Sequence, residues 1–171
     1  MEDNFNQKEA FISAYDQYSQ AIFRYCMFRV FDRERAKELM QESFAKTWEY
    51  LMEGNSVENY RAFLYKVAHN LCVNEVIRKR PYSLDKMKED SGFDLEDGGT
   101  RTPEEATELG MMLASLKMLN SGERDILTMR YVDDLKVSEI AEILNALPNT
   151  VSVRISRAEN ALKKLYKKDG K

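Results

Sequence analysis

Apolar residues recur every three or four positions along most of this chain, the period of an amphipathic helix. Phe11, Tyr15, Tyr18, Ile22, Cys26 and Val30 form one stripe, which predicts a helix from residue 8 to about 30. Leu39, Phe44, Trp48 and Leu51 predict a second over roughly 33–53, with Glu38, Glu42 and Lys46 as a charged ladder on its polar side. Gly54-Asn55-Ser56 breaks it. Phe63, Leu64, Val67, Ala68, Leu71, Val73 and Ile77 then predict a third helix from about 58 to 79. The three can share one small core.

Residues 81–100 carry no sustained period and are rich in Asp, Gly and Ser, the composition of a flexible tether. Thr102-Pro103-Glu104-Glu105 restarts a helix: Thr102 can cap it, Pro103 suits the first helical position and Glu105 completes a capping box. That helix is expected to reach about Met118. Ser121 is placed to cap the next, which ends near Tyr131, and helices at about 137–144 and 148–166 follow. Leu116, Leu119, Ile126, Leu127, Leu135, Ile140, Ala141, Leu144, Val151, Ile155 and Leu162 are the core candidates of this second module. The expected fold is all-α. Two small helical domains, 1–80 and 103–171, are joined by a flexible acidic linker at 81–102.

Composition fits this picture. Of the 171 residues, 43% are hydrophobic and 32% charged, too apolar for a disordered chain. Net charge is −3, yet its distribution matters more. Residues 21–80 and 111–171 each carry a net +3, whereas residues 81–110 carry −6. Two mildly basic modules flank an acidic connector, and the total hides them. No apolar stretch is long enough to span a bilayer, and the start Met1-Glu2-Asp3-Asn4 does not read as a secretory signal. Cys26 and Cys72 are expected as two buried thiols in a reducing, cytoplasmic compartment.

The chemistry lies in residues 137–157. Val137-Ser138-Glu139-Ile140-Ala141-Glu142-Ile143-Leu144, a turn, then Thr150-Val151-Ser152-Val153-Arg154 reads as a helix-turn-helix. Val151, Ile155, Ala158 and Leu162 anchor one face of the second helix, leaving Asn149, Ser152, Val153, Arg154, Ser156 and Arg157 for other surfaces. Val153 can touch a thymine methyl, and Arg154 can pair with guanine or hold a phosphate. Thr150 and the amides near the helix start can hold another phosphate. Lys163, Lys164, Lys167 and Lys168 extend the basic character, or simply suit a solvated helix end. Leu147 and Lys136 stand where caps belong and offer no side-chain oxygen, so fraying or compensating packing is expected at both helix starts.

These segments resemble the extracytoplasmic-function group of bacterial sigma factors. The C-terminal module resembles that family's region four through Leu119-Asn120-Ser121-Gly122-Glu123-Arg124-Asp125-Ile126-Leu127, Arg130-Tyr131, Glu139 to Leu144, Thr150-Val151, Arg154, Arg157-Ala158 and Leu162. The N-terminal module resembles region two through Ala36-Lys37-Glu38-Leu39-Met40-Gln41-Glu42-Ser43-Phe44, Thr47-Trp48, Tyr60 to Asn74 and Arg78-Lys79-Arg80.

The resemblance implies a promoter-specificity subunit of RNA polymerase, monomeric in the holoenzyme and without cofactor. Glu38, Leu39, Met40, Gln41, Glu42 and Phe44 would dock on the clamp helices of the largest subunit of core RNA polymerase. Asn55, Ser56, Tyr60, His69 and Asn70 would hold bases of the minus-ten element of promoter DNA, and Arg61, Lys66, Arg78, Lys79 and Arg80 its phosphates. Asn149, Thr150, Ser152, Val153, Arg154 and Arg157 would read the minus-thirty-five duplex. The family often has a basic residue where Ser152 stands and an Asp where Asn74 stands. It also implies a cognate anti-sigma factor, often membrane anchored.

An enzyme is not expected. There is one His, the two Cys are isolated, and neither a phosphate-cradling glycine loop nor a His-based triad is present. Two alternatives stand beside the sigma reading: an autonomous dimeric regulator, and a polymerase-binding decoy that does not open DNA. The first leaves Gln41-Glu42 and Ala68-His69-Asn70 unexplained.

Overall fold

A computed structural model describes residues 2–79 and 114–169, with side chains over 6–78 and 114–165. All regular structure in the described residues is helical. Helix α1 (Glu2–Val30), α2 (Arg33–Met52) and α3 (Tyr60–Lys79) pack against one another in pairs and form the first module. The second holds a helical turn at 114–118, α4 (Ser121–Leu127), a π-helical turn (Thr128–Val132), α5 (Val137–Ile143) and α6 (Pro148–Asp169). The linker expected at 81–102 and the Thr102–Glu105 cap lie outside the described residues, as does Arg80.

The first core is centred on Ile22, Tyr25, Cys26, Leu39, Leu64, Ala68 and Cys72, none more than 1% exposed. Tyr25 was not foreseen, because its polar hydroxyl blurs the stripe, whereas Tyr15, assigned to it, is 41% exposed. Ile77 also points outward. Both cysteines are buried free thiols, and they lie in hydrogen-bond reach of each other. The hydrogen bond with the Cys72 thiol, and then burial, push Cys26 far above the usual thiol range, which makes it a poor nucleophile. Leu116, Leu119, Ile126, Leu127, Leu135, Ile140, Ala141, Val151 and Ile155 fill the second core as expected, joined by Met129.

Local chemistry sets the boundaries. Asp32 caps α2 by accepting from the Arg35 amide at 3.0 Å, and Asn59 caps α3 by accepting from the Ala62 amide at 3.1 Å. Asn120, rather than Ser121, caps α4: its Oδ1 accepts from the Glu123 amide at 2.9 Å. The weak start at Lys136 is compensated from downstream, where Glu139 reaches back to accept from the Lys136 amide at 2.8 Å. No such rescue by packing serves Leu147, which is 72% exposed.

Two features bend the chain where the sequence offers no warning. Phe31 takes a positive φ of 52° between α1 and α2, a conformation that costs a bulky residue about 1–3 kcal/mol. Its ring is held from the second module by Arg124, 4.7 Å from the centroid, and by Lys117 at 5.0 Å. After α4 the helix widens, the Asp133 amide donating to the Thr128 carbonyl at 3.0 Å. Asp134 follows at φ 50°. This turn aims Asp133 at the first module, and the two modules therefore touch.

Candidate nucleic-acid interface

The helix-turn-helix is built from α5 and α6. Asn145, at φ 47°, ends α5: its amide donates to the Glu142 carbonyl at 3.2 Å and the Ala146 amide to that of Ala141 at 2.9 Å. This pair of bonds is the Schellman arrangement, in which a left-handed residue satisfies the last carbonyls and turns the chain sharply. The buried face of α6 is Val151, Ile155 and Ala158, as the spacing predicted. Asn149, Thr150, Ser152, Val153, Arg154 and Arg157 all stand exposed on the remaining surface. One of them is already engaged, the Ser152 hydroxyl donating to the Pro148 carbonyl at 3.1 Å.

On the first module, the expected DNA residues of α3 divide between two faces. Lys66 and Asn70, one turn apart, are exposed. Arg61 and His69 flank buried Tyr65 on a different stripe, which faces the second module. Arg61 donates to the Asp133 carbonyl and lies 3.9 Å from Glu139. His69 Nδ1 is 3.0 Å from the Tyr25 hydroxyl and 3.7 Å from Asp125. Burial, with Arg29 nearby, pulls the His69 pKa from 6.5 to about 4, so the ring is neutral at neutral pH.

The loop before α3 is ordered by its own polar groups. Gly54 takes a φ of 87°, and Asn55 donates to the Tyr50 carbonyl at 3.0 Å and accepts from Gln7 at 2.7 Å through its own carbonyl. Ser56 is exposed and Tyr60 half-buried. Tyr50 and Phe63 stack at 4.9 Å beside them. Arg78 is exposed and bound to Glu75 at 2.9 Å. The Lys79 side chain is outside the described residues.

The α2 segment is likewise sorted by burial. Gln41 and Glu38 are exposed, and Met40 and Glu42 are half-buried. Leu39 and Phe44 fill the core, Phe44 against Tyr15 at 4.8 Å and Phe11 at 6.1 Å. In this structure those two support α2 from beneath and present no surface to a partner.

Residues 14–81 match the family described as Sigma-70 region 2, and residues 109–162 the one described as Sigma-70, region 4. The chain belongs to the sigma-70 family. Among its relatives, the ECF RNA polymerase sigma factor SigW of Bacillus subtilis is 26% identical, over 92% of this chain and 89% of its own. The RNA polymerase sigma factor YlaC of the same organism is 29% identical, over 88% of each. Solved structures share the fold, two of them over nearly the whole chain. The sigma factor RpoE of Bartonella quintana, in complex with the anti-sigma factor NepR, has a TM-score of 0.75 at 20% identity, over 93% of this chain and 98% of that one. CnrH in complex with the cytosolic domain of CnrY has a TM-score of 0.71 at 18% identity, over 98% and 94%.

The protein is thus a sigma factor of the extracytoplasmic-function group, a promoter-recognition subunit for RNA polymerase and not an enzyme. In this sigma factor the first module is region two and the second is region four. Sequence reasoning missed Arg24, Arg29, Asp125 and Asp133, which join the two regions. Only the burial of Asp125 and Asp133, at 4% and 5% exposure, sets them apart from ordinary surface carboxylates.

Proposed function

We propose that this sigma factor docks on the clamp helices of core RNA polymerase through Glu38, Met40, Gln41 and Glu42 of α2. Its region two would then hold the opened non-template strand on the surface of Lys66 and Asn70, with Asn55, Ser56 and Tyr60 at the base-holding end. Unpaired bases suit such a loop, because their edges need hydrogen-bond partners and their faces need aromatic or apolar walls. Arg78, Lys79 and Arg80 extend the phosphate-binding track. Region four would read the minus-thirty-five element as duplex through α6.

The observation that carries this reading is the α6 surface: six candidate contacts stand exposed while the apolar half of the helix is buried. Region four alone should bind weakly, and joining it to region two on one chain raises the effective concentration of the second contact. Action in the cytoplasm and sequestration by an anti-sigma factor, membrane anchored or free, belong to the same proposal. Solved structures of this fold include the sigma factor RpoE with the anti-sigma factor NepR, and CnrH with the cytosolic domain of CnrY. Among the described residues no helix is long and apolar enough to cross a membrane.

In vitro transcription with bacterial core polymerase on pooled promoter fragments tests the proposal. Initiation that depends on this chain is the expected result. Duplex binding without association with core would overturn it in favour of an autonomous regulator. Association with core without initiation would point to a decoy.

A further inference from the structure

We propose that Gln7 is a positioning residue for promoter opening: from the start of α1 it holds in place the loop that receives an unpaired base. The role at the promoter rests on the assignment of Asn55, Ser56 and Tyr60 proposed above, whereas the tie itself stands on its geometry.

The tie begins with packing. Helices α1 and α2 run antiparallel, Tyr15 meeting Phe44 at 4.8 Å and Phe11 meeting Trp48 at 5.0 Å. One turn toward the start of α1 is therefore one turn toward the end of α2, which stops at Met52. Gln7 stands one turn before Phe11 on the same face, level with that end. Helical side chains lean toward the N-terminus, and this carries the Gln7 amide past α2. There its Nε2 donates to the Asn55 carbonyl at 2.7 Å, 48 positions away in the chain.

The other ties of the loop come from its own ends. Gly54 turns the chain at φ 87°, and its amide donates to the Leu51 carbonyl at 3.0 Å. Asn55 spends its Nδ2 on the Tyr50 carbonyl at 3.0 Å, satisfying an acceptor in the last turn of α2. Asn59 caps α3. Among the described residues, the bond from Gln7 is the one that reaches this loop from α1. Asn55 is thus fixed at its side chain by α2 and at its main chain by α1. Its Oδ1 and the exposed Ser56 hydroxyl are left for a base edge, at positions set before a base arrives.

That order of events matters energetically. A loop already fixed loses little further freedom when a base enters, whereas a loose one must be ordered at the base's expense. The cost of losing Gln7 should fall on the opened state and spare docking on polymerase, because Glu38 to Glu42 lie toward the opposite end of α2. Gln7 also lies ahead of residues 14–81, so the region 2 pattern does not specify it.

The test uses holoenzyme assembled from core polymerase and the full chain, on a promoter selected in the pooled transcription experiment. Permanganate reactivity reads opening, and templates with each base in turn along the minus-ten element read preference. Gln7→Met keeps the length and drops the donor. It is expected to lower opening about fivefold, the worth of one hydrogen bond, and to flatten the preference at one position. Gln7→Lys restores an N–H donor at similar reach and is expected to recover most of the loss. Binding to core should stay at the parent level in both. In an Asn55→Ala, Ser56→Ala background, Gln7→Met should cost nothing more, because that loop no longer holds a base.

Parent-level opening by Gln7→Met, where the loop variant is impaired, overturns the inference and leaves the loop assignment standing. Additive losses, weaker core binding or preference lost at every position overturn it as well, since they mark Gln7 as a general support of the module. A loop variant that opens like the parent removes the loop assignment, and the role of Gln7 with it.

Discussion

Arg29 of region two and Asp125 of region four meet at 2.5 Å, each side chain only 5% exposed. Neither lies in a module's apolar stripe, and the pair is buried only because the two modules face each other. Removing one partner strands a charge in a poor solvent for it, whereas removing both does not. Arg29→Met and Asp125→Leu should therefore each lower the unfolding free energy of the full chain by about 3 kcal/mol, and the double variant should recover most of the loss. Urea denaturation monitored by circular dichroism gives the cycle; simple addition of the two losses would refute it.

His69 and Asp125 respond to pH in opposite directions. Burial and Arg29 lower His69 from 6.5 to about 4, so its neutral form stabilises the packed state above pH 6.5 and that contribution fades as pH falls toward 4. Burial raises Asp125 from 3.8 to about 7 against the pull of Arg29 and Arg124, so its contribution is greatest at low pH and is lost as pH rises through 7. Over pH 4 to 6.5 the two slopes oppose each other. The stability of His69→Gln should fall with rising pH across that range, while the parent changes less. Parallel curves for the two proteins would contradict the assignment.

Ser152 occupies an exposed position of α6, and its hydroxyl is turned back to the Pro148 carbonyl. An arginine there would add one phosphate contact. Ser152→Arg should tighten minus-thirty-five duplex binding and steepen its salt dependence by about one counterion. Fluorescence anisotropy at several salt concentrations measures both. An unchanged slope would mean that the position faces away from the backbone.

Lys66 and Asn70 share an exposed face of α3 that region four does not cover. Lys66→Ala and Asn70→Ala should cut promoter opening several-fold while leaving association with core polymerase intact, since α2 is untouched. Permanganate reactivity of unpaired thymines reports the opening. Loss of core binding in parallel would place these residues on the polymerase instead.

Asn120 closes the start of α4 by accepting from the Glu123 amide. Asn120→Ala should cost about 1 kcal/mol, seen as a lower Tm. Ser121→Ala should cost much less, although the sequence alone favoured Ser121.

Helical periodicity by itself determined the all-α class, the helix positions, most of both cores and the buried stripe of α6. These features are repeated every turn, so each helix reports its own apolar face without reference to any other. Family motifs located α2, α3 and the helix-turn-helix in order. What the sequence could not sort was which polar residues meet solvent. Arg61, Lys66, His69 and Asn70 share one helix and one polar character, yet Lys66 and Asn70 face outward while Arg61 and His69 face region four. The packing of the two regions was decided only in three dimensions. It depends on a positive φ at Phe31, a π-helical turn that aims Asp133, and charge pairs about 100 residues apart in the chain, including Arg29 with Asp125 and Arg24 with Asp133. A carboxylate's sequence neighbours do not reveal whether a distant guanidinium will be folded against it. That pairing is a property of the assembled surface.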